Sequence, residues 1–196
     1  MVFNVGVAMR PPFLHEATEQ VACAVRFAKA TAADHGGDAT EITVVGHSAG
    51  AVTGMVVALT GDDCYAQDCV VTDETAVLDV LVGYKGPYDW TIHDYGEISP
   101  FPLGEEDPDK WEAINPYAHI GGNPDLVVRL THRDDLNVAW YETPRGVSVD
   151  LNQVLLEAGY DAELTLLEGA SHSALLSRGS KAFDMAVQQV LQVAGG

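Results

Sequence analysis

The stretch VVGHSAG, residues 44–50, places a serine between two glycines where a β-branched run meets the apolar helical run AVTGMVVAL at 51–59. A strand that turns sharply into a helix lifts the residue at the turn clear of the sheet. It also crowds the positions two before and two after that residue against neighbouring backbone, and glycine relieves the crowding. Gly46 and Gly50 hold those positions around Ser48. A helix N-terminus aims backbone N–H groups at negative charge developing beside it, which makes the Ala49 N–H a candidate oxyanion donor. The competing reading is a glycine-rich turn or phosphate loop in which Ser48 merely caps the helix; five residues alone do not separate the two.

On either side of this turn, strands and helices alternate. MVFNVGVAM (1–9) fits a buried strand, and HEATEQVACAVRFAKATAADHGG (15–37) carries apolar residues at helical spacing up to a Gly36-Gly37 stop. EITVVG (41–46) reads as a strand, AGAVTGMVVALTG (49–61) as a helix and AVLDVLVGY (76–84) as a third strand. Residues 86–124, rich in Pro, Gly, aromatic and acidic residues, form an irregular excursion with one short helix expected around DKWEAI (109–114). Order returns with the strand PDLVVRL (124–130), the helix VSVDLNQVLLEAGY (147–160) ending at Gly159, the strand AELTLLEG (162–169) and the helix SKAFDMAVQQVLQVA (180–194). Nearly continuous apolar strands separated by helices imply a mostly parallel sheet of about five strands covered on both faces, a three-layer α/β/α sandwich. The length of 196 residues, 47% of them apolar, suits one domain spanning 1–196.

A formal net charge of −19 repels phosphate backbones and anionic lipid, so neither nucleic acid nor a membrane surface is expected as a partner. No run approaches the length of a membrane span and no secretion signal opens the chain, so it reads as soluble and cytoplasmic. Of the three cysteines, Cys64 and Cys69 are close enough in sequence for a local bridge, and free thiols are the expectation for a chain with no sign of export. Two nearby cysteines without a second ligand pair do not make a zinc site.

A serine hydroxyl becomes a nucleophile when a base takes its proton, and the base must itself be oriented. LVVRLTHRDDLNV (126–138) ends a strand with two adjacent aspartates, and LTLLEGASHSALL (164–176) ends the last strand with His172. The order serine, acid, histidine is the one this strand-to-helix motif calls for, and it favours catalysis over capping. His15 and His35 fall at the ends of the first helix, where solvated or capping roles are ordinary. His47 adjoins the serine but points away across the turn, His93 and His119 lie in the excursion with surface residence expected, and His132 is expected to pack at its strand end.

These segments together resemble an α/β-hydrolase of the esterase and lipase superfamily, near its carboxylesterase and feruloyl-esterase-like branch. VFNVGVAMR, the segment from VACAVRFAKA to VVGHSAG, NPYAHIGGNPDLVVRLTHRDDLNV and LLEAGYDAELTLLEGASHS carry the likeness, which covers nearly the whole chain. The resemblance implies a triad of Ser48, Asp135 and His172. Val138, three residues beyond, selects Asp135 over the runner-up Asp134, although Arg133 stands where the family has a glycine. The family carries about three further strands and a His-Gly-Gly loop upstream that supplies the second oxyanion donor. Their absence here implies a truncated fold, and the HIGG at 119–122 is read as a turn and not a substitute. With those strands missing, residues 2–9 are expected to pair with residues 42–45 and to leave a raw sheet edge through which the chain self-associates.

The function implied is hydrolysis of small carboxylic esters, short acyl chains preferred, with no metal or organic cofactor. The same residues suit an amidase or formamidase, and a chain short of one oxyanion donor also suits a weak or inactive scaffold that binds a ligand or another subunit. Tyr88, Trp90, Tyr95, Phe101 and Trp111 of the excursion are candidates either to shape a pocket over the serine or to pack as ordinary core.

Overall fold

The computed structural model describes residues 14–61, 69–89, 112–134 and 143–193. Within them lie helix α1 (Leu14–Thr31), strand β1 (Thr43–His47), helix α2 (Ala49–Thr60), strand β2 (Val80–Tyr84), strand β3 (Val127–Arg133), helix α3 (Arg145–Glu157), strand β4 (Asp161–Leu167) and helix α4 (Lys181–Val193). The strands form one sheet in the order β1-β2-β3-β4, every neighbour parallel. Parallel neighbours need crossovers, and α2 and α3 provide them between β1 and β2 and between β3 and β4. The strand expected over residues 2–9 lies outside the described residues, so the described sheet has four strands with β1 at one edge.

Alternation along each strand sends side chains to two cores. One core joins Ala22 and Val25 of α1, the apolar length of α2 from Ala51 to Leu59, Leu81, Val128, Leu130, and Leu151 and Leu155 of α3. The other joins Val80, Val82 and Tyr84 to Leu167, Ala170, Ala182 and Ala186 under α4. The result is three layers, with α1, α2 and α3 on one face and α4 on the other. α2 is apolar on every side because it is enclosed on every side: Ala51 through Leu59 are all buried. A Cβ on Gly54 would lie 3.1 Å from Leu81 Cδ1 and 3.4 Å from Val44 Cγ1, so glycine here lets the helix settle close to the sheet.

α1 ends in a 3₁₀ turn, Ala33–His35, that Gly36 closes at φ +72°, where the sequence placed a stop. The polar side of α1 fastens the segment leading into β2. The Lys29 ammonium donates to Val77 O at 2.7 Å and to Thr75 Oγ1 at 3.1 Å, and Arg26 Nε donates to Glu74 O at 3.2 Å. A disulfide joins Cys23 of α1 to Cys69. This overturns the expectation of free thiols and the local pairing of Cys64 with Cys69: nearness in sequence pointed to the wrong partner, because α1 brings a cysteine 46 residues away to the same place. Cys64 lies outside the described residues.

Several expected elements run within a few residues of their observed bounds, and β3 extends three residues beyond Leu130 to Arg133. Of the helix expected around 109–114, residues 112–113 are helical and the earlier part lies outside the described residues. Tyr88 is fully buried in the α2 core, which assigns it to packing; Trp90, Tyr95, Phe101 and Trp111 lie outside the described residues.

Candidate active site

β1 ends at His47 and α2 begins at Ala49, so one residue makes the whole connection. That residue, Ser48, has φ +56° and ψ −122°, a backbone region a side chain normally avoids. Its N–H donates to Tyr84 O at 2.9 Å, which extends the β1–β2 pairing by one step, and its carbonyl accepts from Ala51 N–H at 2.9 Å as the first bond of the helix. The turn is thereby pinned from both sides. The side chain of Ser48 makes no capping bond to α2. A serine acting as a cap would accept from a first-turn N–H, so the capping reading of this glycine-rich turn has no support.

The two flanking glycines turn out to differ. A Cβ on Gly46 would run into the backbone of the facing turn, the Gly50 carbonyl and Ala51 Cα, the latter at 2.7 Å; a Cβ on Gly50 would meet nothing within 4 Å. The crowding expected at both positions therefore exists at Gly46, and Gly50 is the residue that comes close.

A second strained residue stands beside the first. His47 pairs with Tyr84 in the register of β1 and β2, so Ser48 and Lys85 are the next residues along neighbouring strands. Lys85 has φ +49°, and it and Ser48 are the non-glycine residues of positive φ among the described residues. Its N–H donates to Thr131 O of β3 at 2.9 Å, and its side chain is 2% exposed. Strain of this kind, of order 1–3 kcal/mol per residue, persists where the surroundings over-determine it and clusters at functional sites. Both residues lie at the carboxyl ends of parallel strands, the edge at which open α/β sheets bind ligands. Lys85 was not singled out from the sequence. Its one signal was a lysine directly after an apolar strand run and before Gly86-Pro87.

His172 follows β4 in the turn that leads to the 3₁₀ segment Ala174–Leu176. The fold brings it to the serine turn: His47 Nε2 lies 2.8 Å from His172 O, and the two imidazole centroids are 4.6 Å apart at an interplanar angle of 53°. A carbonyl oxygen accepts, so Nε2 carries the proton and donates. Burial lowers the His47 pKa; the bond to the His172 carbonyl opposes that shift, and repulsion from His172 and Lys85 adds to it. The ring of His47 is thus bonded to the histidine turn.

Asp134 follows β3 directly. Its N–H donates to Leu167 O at 3.0 Å, and its carboxylate is bound by Arg145, which also donates to its carbonyl at 2.8 Å. The runner-up acid is thus committed to the start of α3, while Asp135 lies outside the described residues. His132 is 1% exposed with Nδ1 3.1 Å from Arg133 O, a packed residue. His15 sits 3.7 Å from Glu19 on α1, His35 is exposed in the 3₁₀ turn, and His119 Nε2 lies 2.9 Å from Ala113 O; His93 is outside the described residues. The HIGG sequence is a turn, with Gly122 N–H donating to His119 O at 3.1 Å and Gly122 packed against Leu59 O. Leu59 lies ten residues along α2 from Ala49, about 15 Å at 1.5 Å per residue, so this turn sits at the far end of the helix from Ser48.

A groove of about 1100 Å³ follows β1 at the edge of the described sheet, walled by Val21, Ala24 and Ala28 of α1 and reaching Gly46, His47 and Gly50 at its upper end. Among the described residues no group of three His, Cys, Asp or Glu side chains is arranged to hold a metal ion, and no helix is long and apolar enough to cross a membrane.

Solved structures of similar fold are known. A truncated form of a carbohydrate esterase from gut microbiota is 20% identical, with a TM-score of 0.73 over 97% of this chain and 72% of that one. A thermophilic esterase from the planctomycete Thermogutta terrifontis, with butyrate bound, is 21% identical, with a TM-score of 0.72 over 93% of this chain and 67% of that one. The acetyl ester-xyloside bifunctional hydrolase of Caldicellulosiruptor lactoaceticus is 18% identical, with a TM-score of 0.73 over 94% of this chain and 68% of that one. No family model matches the sequence, and no curated protein matches it. At 18 to 21% identity such likeness speaks for architecture: this chain has the α/β-hydrolase fold of these esterases, with four strands in its described sheet.

Proposed function

We propose that the protein is a serine hydrolase of carboxylic esters with short acyl chains. Ser48 Oγ attacks the ester carbonyl while His172 takes its proton. The oxyanion that forms is held by the Ala49 N–H at the start of α2, and Asp135 orients the imidazole. The C–O bond to the alcohol then breaks, His172 returns the proton to the leaving oxygen, and an acyl-enzyme on Ser48 remains. Water activated through His172 attacks that ester, and the acid leaves with Ser48 restored.

The observation that carries this reading is the backbone at Ser48, held at φ +56° by bonds on both sides with its side chain not used as a cap. Catalysis by an exposed hydroxyl gives that strain a purpose, and a structural turn does not. The small-acyl preference draws support from a protein of the same fold that holds butyrate. Assays with acetyl, propionyl and butyryl esters test the reading: turnover by the native protein and a loss of at least about a thousandfold in Ser48→Ala are expected, from the size of nucleophile deletions in other serine hydrolases. Aryl formamides in the same panel separate esterase from formamidase.

Self-association, expected from the sequence, is proposed on the side of the sheet where β1 is the outermost described strand. The opposite edge strand, β4, carries Asp161 and Glu163, charges that discourage pairing with another chain. β1, TVVGH, carries none, and Val45 is 52% exposed beside the fully buried Val82 with which it pairs. The occupant proposed for this side of the sheet is a second copy of the chain.

A further inference from the structure

His47 is separated from His172 by 125 residues, yet one hydrogen bond joins its ring to the His172 backbone. The triad reading gives this residue no task. Its position explains one. His47 is the last residue of β1, directly before Ser48, and its register partner is Tyr84, so its backbone is fixed by the sheet. Tyr84 in turn donates from its hydroxyl to Ala186 O at 2.9 Å, which ties the neighbouring end of β2 to α4. The segment that bears His172 is a run of short-range turns, with Ala174 N–H donating to Ser171 O at 3.1 Å and Leu176 N–H to Ser173 O at 3.0 Å. Ser171 and Ser173 are exposed, Gly169 adopts φ +69°, and regular structure resumes with the three-residue 3₁₀ turn. The end of β1 is therefore tied to this run of turns at the one carbonyl that belongs to the proposed base.

We propose that His47 is a positioning residue: its Nε2–H holds the carbonyl of His172 and so fixes the histidine turn against the serine turn. The proposal rests on the triad reading for its effect on catalysis, but the latch itself is a property of the two turns. Because Nε2 donates whether the ring is neutral or protonated, the latch needs the donor and its reach and does not need charge. The adjacent rings, 4.6 Å apart, would repel if both carried a proton, so a neutral His47 also leaves His172 able to accept one from Ser48.

Three substitutions separate reach, donor and ring. Gln places an amide N–H near the position of Nε2, Asn reaches as far as Nδ1, and Phe keeps a ring without a donor. His47→Gln is expected to keep kcat within about threefold, whereas His47→Asn and His47→Phe lose up to about a hundredfold in kcat with KM nearly unchanged, the scale of a misplacement near 1 Å. Amide exchange provides a readout independent of turnover. Exchange across residues 171–177 should rise about fivefold to tenfold in His47→Asn and His47→Phe and stay at the native rate in His47→Gln, as the loss of one hydrogen bond predicts. Equal behaviour of the Gln and Phe variants in both measurements would overturn the latch. Unlatched exchange as described, in a protein whose native form hydrolyses no ester, would overturn the triad reading and leave the latch standing.

Discussion

Ser48 holds a backbone conformation that costs of order 1–3 kcal/mol, and Gly46 is what lets the facing turn approach closely enough to hold it there. Gly46→Ala should lower stability by about 1–3 kcal/mol or more in chemical denaturation, because its methyl group meets backbone that cannot swing aside. Gly50→Ala should be neutral or stabilising by up to about 1 kcal/mol, since a Cβ there meets nothing and alanine favours the helix. The two glycines look equivalent in the sequence. They differ because the motif's spacing records that two backbones meet, and the side on which a methyl group would collide is decided by where each Cα–Cβ bond points. At His47 the same scale yields a pH effect. The unfolded chain takes up a proton there near pH 6.5, whereas burial, together with His172 and Lys85, holds the folded ring below that value. The unfolded state thus binds more protons in this range, and stability falls as pH drops below about 6.5. Denaturation at pH 7.5 and pH 5.5 should show a loss in the native protein that is smaller in His47→Gln.

Among the elements, α1 binds the segment before β2 through Lys29, Arg26 and the Cys23–Cys69 disulfide. Closing a loop of 46 residues removes unfolded-state entropy worth about 4 kcal/mol on the chain-entropy account. Thiol titration of the unreduced protein in denaturant should find one cysteine, reduction should expose three, and Cys23→Ser should lower stability by about 2–4 kcal/mol. Three titratable thiols before reduction would remove the bridge. The helices and strands around it were legible because period decides them: the run 51–59, apolar but for Thr53, and the Gly36 stop announced α2 and the end of α1. The bridge was not legible, since it depends on α1 lying across the segment before β2, a tertiary relation that spacing does not encode. The serine turn was legible for a related reason in reverse, being wholly local. Lys85 and the contact of His47 with His172 were hidden, because each arises from strands or turns brought together from distant parts of the chain.

For the whole molecule, parallel order placed the ends of β1, β3 and β4 at one edge, and the sequence positions of Ser48, the paired aspartates and His172 followed that order. The same topology leaves β1 at the boundary of the described sheet with an uncharged edge and an exposed valine. Light scattering at micromolar concentration should report a species above monomer mass, and Val45→Lys should shift it toward monomer, as charged edge residues do; a monodisperse native monomer would contradict self-association. None of this bears on whether Ser48 is activated, which is the claim on which the functional account turns. Labelling by a fluorophosphonate probe, with the modified residue located by mass spectrometry, measures that directly. Stoichiometric labelling at Ser48 is expected in the native protein, and none in Ser48→Ala or His172→Ala. A native protein that stays unlabelled, or one that labels equally well without the imidazole of His172, would contradict it.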